Sequence, residues 1–92
     1  MNGHTVSNAA QELLHEAAKD ADGEIVSIAA MGATTVTTNG RQFIEPENPQ
    51  STAKWLGALS ELVKAGFVED RTGKRNALYV SATGYDESTQ SV

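Results

Sequence analysis

The pair Asn39-Gly40, at the end of a β-branched run, limits what this chain can fold into more than any other feature of the sequence. A two-residue type I′ turn needs positive φ at both positions, which asparagine and glycine tolerate. The residues before the pair are rich in threonine and valine, as strands are. The turn therefore predicts a hairpin that sets Val36 opposite Phe43, within an antiparallel meander over residues 24–45.

Amphipathic helices are predicted on both sides of this meander. Ser7 or Asn8 can cap the first helix, whose apolar residues recur at helical spacing until Gly23. Asn48, followed by a proline, can cap the second helix, which Gly66 ends. The second helix is expected to bury five large residues, Trp55, Leu56, Leu59, Leu62 and Val63.

The remaining segments complete the predicted organisation. Segments 67–71 and 77–82 are β-prone and are joined by a polar, basic connection, so they predict a second hairpin. Residues 1–6 are expected to form a flexible leader, residues 7–86 one domain, and residues 87–92 a flexible tail without an apolar stripe. The predicted fold class is α+β, in the order α-β-β-β-α-β-β, with an antiparallel sheet and two main helices.

The second half of the chain carries a longer pattern. A helix that runs into an apolar segment precedes a charged hairpin, with the sequence Leu59-x-x-Leu62-Val63-x-Ala65-Gly66-Phe67-Val68-Glu69 and then Leu78-Tyr79-Val80-Ser81-Ala82-Thr83-x-Tyr85. Over residues 49–85 this pattern resembles winged helix–turn–helix domains. The resemblance implies a winged-helix-like fold and a regulatory or adaptor module of bacterial or phage type. The first half departs from that family, because a hairpin is predicted where the family places a short helix.

Size and charge limit the function classes. With 92 residues, 39% of them apolar, the chain suits one globular domain. It has no cysteine, no stretch long enough to span a bilayer and no secretory signal, so a cytoplasmic location and no membrane partner are expected. The net charge of −5 falls on residues 1–50, while residues 51–92 are neutral. Binding of nucleic acid would therefore need a local basic patch.

Such a patch is predicted at the tip of the second hairpin and the start of the second helix. The N-terminal amide groups of that helix and several side chains suit phosphate contacts. The side chains expected to contact nucleic acid are Gln50, Ser51, Lys54, Arg71, Lys74 and Arg75. Duplex DNA is thus the first expected partner, in a regulatory role.

A protein-protein interaction or dimerisation module with no nucleic-acid binding is the alternative. Gly57 and Ala58 are expected to be exposed, with Glu61 beside them, so that an element of another protein or of a second copy can approach closely. Glycine inside a helix costs about 1 kcal/mol relative to alanine, so the presence of Gly57 calls for a reason.

Catalysis is not expected. His15 lies on the polar face of the first helix, and His4 is in the leader, so the two lack metal-ligand spacing. Glu69 and Asp70 are adjacent on a predicted strand and would point to opposite faces. Glycine-rich phosphate loops are absent from the sequence. We therefore expect no enzyme, no cofactor, no metal and no small-molecule substrate.

Overall fold

Side-chain caps start the first two helices. Helix α1 spans Asn8–Lys19, and the hydroxyl of Ser7 accepts a hydrogen bond from the N–H of Ala10 at 3.2 Å. Helix α2 spans Pro49–Lys64, and the Asn48 side chain accepts hydrogen bonds from the N–H groups of the second and third helical residues. Each cap satisfies amide groups that no carbonyl within the helix can reach. The predicted caps at Ser7 and Asn48 are confirmed.

The computed structural model describes residues 6–30, 33–45, 47–71, 73 and 76–90. Besides α1 and α2, these residues form one further helix and one antiparallel sheet whose strand order is β3-β2-β1-β5-β4. The strands are β1 (Glu24–Ala30), β2 (Ala33–Thr38), β3 (Arg41–Gln42), β4 (Val68–Glu69) and β5 (Ala77–Val80), and the third helix is α3 (Ala82–Gln90). The α+β class is therefore confirmed. The predicted leader lies outside the described residues except for Val6, which is buried.

Asn39 and Gly40 form the predicted turn between β2 and β3. Their φ angles are 53° and 75°, as a type I′ turn requires. The N–H of Phe43 donates to the carbonyl of Val36 at 2.9 Å, and both side chains are buried. The predicted pairing of these residues is confirmed. Trp55 of α2 meets Phe43 edge to face, with ring centroids 4.8 Å apart, so these aromatic rings join α2 to the meander.

All three helices lie on one face of the sheet. Successive strand residues point to opposite faces, and on β5 buried side chains alternate with half-buried ones. Ile25, Leu78 and Val80 are buried beneath the helices, on what we call the inner face. Ile28 and Tyr79 point to the opposite, outer face. Within the described part of the chain, no helix covers the outer face.

Helix α3 corrects the prediction of two main helices. Residues 87–90 are helical where the sequence predicts a flexible tail, and residues 91–92 lie outside the described part. Ser81 holds the start of α3: its hydroxyl donates to the carbonyl of Gly66 at 2.6 Å and accepts from the N–H of Gly84 at 3.1 Å.

The docking of α3 depends on the missing side chain of Gly84. A Cβ at this position would collide with the carbonyl oxygen of Phe67 and would lie 2.9 Å from a methyl carbon of Val80. Helix α3 therefore packs closely through its backbone at Gly84 rather than through a stripe of large apolar residues. Hydrophobic periodicity does not reveal a helix of this kind, which explains why the sequence prediction is wrong here.

The turn after α1 also differs from the prediction. The helix ends at Lys19, and Gly23, with φ of 65°, makes the turn into β1 instead of ending the helix. The Asp20 carboxylate accepts hydrogen bonds from the N–H groups of Asp22 and Glu24 at 3.0 and 3.1 Å. These bonds hold the pKa of the Asp20 carboxyl below its ordinary value of 3.8, and the bond from Glu24 has the largest effect.

Replacing Gly84 with alanine should lower the free energy of unfolding by about 1–3 kcal/mol, because the added methyl group overpacks the contact with Phe67. Gly57→Ala is the matched control. An added Cβ at Gly57 meets nothing within 4 Å, and the better helix propensity of alanine should raise the free energy by about 0.5–1 kcal/mol. Urea unfolding of both variants at low micromolar concentration measures the difference. Equal effects would contradict the docking of α3 through Gly84.

The hydrogen bonds to Asp20 predict an acid-dependent loss of stability. A carboxyl whose pKa is lower in the folded state stabilises the fold above its unfolded-state pKa, and this contribution is lost as the pH falls through the folded-state value. Between about pH 5 and about pH 2, the free energy of unfolding of Asp20→Asn should therefore fall less than that of the parent protein. Parallel curves for Asp20→Asn and the parent would refute the assigned role.

Candidate functional site

Helix α2 is rotated relative to the face predicted from its large residues. Ala58 is buried, with 1% of its surface exposed, whereas Leu56 and Val63 are 37% and 46% exposed. Ser51 is also buried, on the same side of the helix as Trp55. The prediction that Ala58 is an exposed interface residue is therefore wrong, and so is the burial of Leu56 and Val63. The buried side of α2 therefore combines the small residues Ser51 and Ala58 with the large residues Trp55, Leu59 and Leu62.

The exposed side of α2 carries a regular set of residues. They are separated by alternating steps of four and three, so they lie along one line, opposite the buried side of the helix. We call this set the outward stripe: Pro49, Ala53, Leu56, Ser60 and Val63. Gly57 and Lys64, both exposed, lie beside it. The spacing is that of helices that pack against another helix.

The outward stripe borders an apolar groove between α2 and the β4–β5 hairpin. The groove has a volume of about 590 Å³. Its lining residues are Leu56, Leu59, Ser60, Val63, Lys64, Asp70 and Leu78. Leu59 and Leu78 are buried beneath it, while Leu56 and Val63 stand exposed at its sides. The groove thus offers apolar surface with one basic and one acidic residue at its margin, which suits a protein side chain better than a phosphate.

Glu61 has a structural partner. Its carboxylate accepts hydrogen bonds from both the backbone N–H and the hydroxyl of Ser7, each at 2.8 Å. Ser7 also caps α1, so this carboxylate ties the start of α1 to the side of α2. Of the three residues predicted for a protein interface, Gly57 alone is exposed and without such a contact.

The start of α2 holds three of the residues predicted to bind phosphate. The amide groups of Gln50 and Ser51 already donate to the Asn48 side chain, and Pro49 has no N–H. The hydroxyl of Ser51 accepts from the N–H of Glu45 at 2.8 Å. The helix start is therefore closed by its own cap. An anion at this point would have to displace Asn48.

Lys54 and Gln50 line a shallow polar depression beside this cap. The Lys54 ammonium lies 4.7 Å from the centre of the Trp55 ring. Arg41, which the sequence analysis did not consider, lines the same depression. Its guanidinium is 2.8 Å from the Glu12 carboxylate and 3.7 Å from Glu16. The positive charge of Arg41 is therefore balanced within the chain.

Arg71 lies on the other side of the sheet. Its guanidinium is 5.1 Å from the centre of the Tyr79 ring and 3.7 Å from the Glu69 carboxylate, and both partners belong to the outer face. The negative charge of Glu24, which accepts a hydrogen bond from the Tyr79 hydroxyl at 3.2 Å, raises the pKa of Tyr79 above 10.0. The Tyr79 side chain is therefore neutral at physiological pH, and the guanidinium of Arg71 lies over the face of its ring.

The sheet thus separates Arg71 from Lys54, which lies with α2 against the inner face. The structure does not bring these two predicted phosphate contacts to one surface. Lys74 and Arg75 lie outside the described residues, so their predicted contacts stay predictions.

Among the residues that the structure describes, no three or more His, Cys, Asp or Glu are grouped so that they could hold a metal ion. In the same part of the chain, no helix combines the length and the apolar character needed to cross a bilayer. Comparison with family models, with curated proteins and with solved structures finds no significant match to this chain.

The rotation of α2 can be tested with adjacent residues. Val63→Ser should change the free energy of unfolding by less than about 0.5 kcal/mol, because the Val63 side chain is about half exposed. Leu62→Ala should lower it by about 2–5 kcal/mol, because Leu62 is completely buried. Urea unfolding of the two variants gives both values. Comparable losses would show that the exposed side of α2 has been misassigned.

Proposed function

We propose that this chain is a non-catalytic interaction module that binds a polypeptide through the outward stripe of α2 and the adjoining groove. The observation that carries the proposal is the exposure of Leu56 and Val63 at the sides of an apolar groove with buried Leu59 and Leu78 beneath it. Exposed apolar side chains that border a concave surface are typical of protein interaction sites.

The topology supports a winged-helix-like arrangement for this module. The strand order β1-β5-β4 places the first strand beside the last, and α2 leads directly into the β4–β5 hairpin, as the recognition helix leads into the wing of winged helices. In chain order the β2–β3 hairpin stands between β1 and α2, where a helix–turn–helix would have its first helix. Winged-helix domains serve in both nucleic-acid binding and protein binding, so the site decides between the two.

The charges favour a protein over DNA. Arg41 is paired with two carboxylates, Arg71 is turned to the outer face, and the start of α2 is closed by Asn48. A protein that neutralises only a few phosphates binds DNA weakly at physiological salt. On the outward stripe, the hydroxyl of Ser60 is the one side-chain donor for a base edge, and the other four residues offer none.

Duplex DNA is the second candidate partner. The observation that favours it is the depression at the start of α2, where Gln50, Lys54 and Arg41 come together. Glu12 and Glu45 line the same depression, so its field is mixed. DNA binding there would be electrostatic and would fall steeply as salt is added.

A photo-cross-linking amino acid in place of Ser60 tests the protein proposal. In an extract of the native cells, irradiation should join this variant to a polypeptide through the groove. The adduct should disappear when the cross-linker variant also carries Val63→Glu. It should persist when the variant carries Ile28→Glu instead, because Ile28 is about as exposed as Val63 but lies on the outer face. The same cross-linker at Gln42, exposed on β3, should not give that adduct.

Salt dependence then separates the two candidates. The affinity for the purified captured polypeptide, measured by calorimetry, should change by less than about threefold between 50 and 200 mM salt. Neutralisation of about three phosphates would change the affinity for DNA by about 40-fold over the same range. If Ser60 gives no adduct, while duplex DNA shifts the amide signals of Gln50 and Lys54 in a salt-dependent manner, the DNA candidate replaces the protein proposal.

A further inference from the structure

We infer that the polypeptide bound by the outward stripe is a second copy of this chain, whose α2 runs antiparallel to the first. This inference rests on the proposed function and specifies its partner. In a two-fold interface the same surface serves both copies, so the stripe must be complementary to itself. The shape and the charges of the stripe meet this requirement.

From Ala53 to Val63, small and large residues alternate along the stripe, as an antiparallel pairing of two stripes requires. If the two-fold axis crosses the stripe at the level of residue 58 along α2, Ala53 faces the partner's Val63, and Leu56 faces the partner's Ser60. Each large side chain then meets a small one, as a knob meets a hole between packed helices. A parallel pairing in register would place Leu56 against the partner's Leu56 and leave Ala53 against the partner's Ala53.

The charges at the ends of the stripe are also complementary in the antiparallel arrangement. A depression of about 400 Å³ at the start of α2 is lined by Glu47, Asn48, Pro49, Thr52 and Ala53. With the same axis, Lys64 of one copy lies level with Thr52 of the partner subunit, which lines the same depression as Glu47, at both ends of the interface. Neither Lys64 nor Glu47 forms an ion pair within the described part of its own chain. The C-terminus of each helix then also meets the N-terminus of its neighbour, which is the favourable direction for their dipoles.

Gly57 lies beside the middle of the stripe. A Cβ there would meet no atom of its own chain within 4 Å, so the packing of the domain leaves room for a side chain at this position. A close approach of the partner's α2 gives a reason for glycine here. The helix has 16 residues and is about 24 Å long, so the contact is smaller than the roughly 800 Å² per partner of a standard interface. We therefore expect a weak dimer, with a Kd on the order of 0.1 mM.

Sedimentation equilibrium of the purified protein between about 10 µM and about 1 mM tests the inference, and this range brackets the expected Kd. The parent protein should show a monomer–dimer equilibrium. Val63→Glu, which introduces two buried charges per dimer, should raise the Kd at least about tenfold, while Ile28→Glu should leave it unchanged. A dimer that resists Val63→Glu or is weakened equally by Ile28→Glu would overturn the inference.

A charge exchange tests the orientation of the two helices. Lys64→Glu alone should raise the Kd a few-fold at low salt, and addition of Glu47→Lys should restore the parent value, because the attraction between the two charges returns with reversed signs. Failure of the second substitution to restore the Kd would overturn the antiparallel pairing.

The absence of cysteine allows a direct check of the register. Ala53→Cys mixed with Val63→Cys should be bridged efficiently by a short bismaleimide, whereas Ala53→Cys alone should give little product. Equal yields would overturn the register. A chain that stays monomeric at about 1 mM would overturn the second-copy inference. In that case, capture of another polypeptide through Ser60 would leave the proposed function standing, and no capture would refute both.

Discussion

Leu13 and Leu14 of α1, Leu62 of α2 and Phe67 are completely enclosed between the helix layer and the sheet, and the rest of the structure depends on this one-sided packing. A chain of this size can bury one such layer. Two surfaces then stay open by necessity: the outer face of the sheet and the side of α2 that points away from the sheet. The second surface includes an apolar groove, which makes it the more suitable site for a protein.

One-sided packing also governs the electrostatics. A sheet with helices on a single face separates the charges that follow its strands from those on the helices. Arg71 is drawn to the outer face by Tyr79 and Glu69, while Lys54 lies over Trp55 on the helix side. Arg71 and Lys54 therefore act as separate charges on different sides of the sheet. This arrangement explains how the domain can carry the β4–β5 hairpin without forming a continuous phosphate-binding surface on its described residues.

Local signals in the sequence were sufficient for much of the fold. The capping residues and the Asn39-Gly40 turn depend on neighbours within a few positions, and the α+β class with its meander follows from them. The rotation of α2 and the presence of α3 were missed, because both depend on contacts between distant segments. Ala58 is buried in the core, and Gly84 fits against a backbone carbonyl, and neither position has a periodic signature. The prediction of the candidate site is incomplete for the same reason. The cost of glycine in a helix points to Gly57, whereas the sequence predicts that Leu56 and Val63, which are exposed, lie in the core.

The contact between Ser7 and Glu61 joins two residues that are 54 positions apart in the chain, one at the start of α1 and one on α2. Ser7 caps the first turn of α1 by itself, but Glu61 holds that cap in place only when α2 is present. During folding, α1 can gain most of its helical hydrogen bonds early, but its final N-terminal anchoring has to await a segment made much later in synthesis. The docking of the two helices and the closing of this contact thus belong to one late, cooperative event.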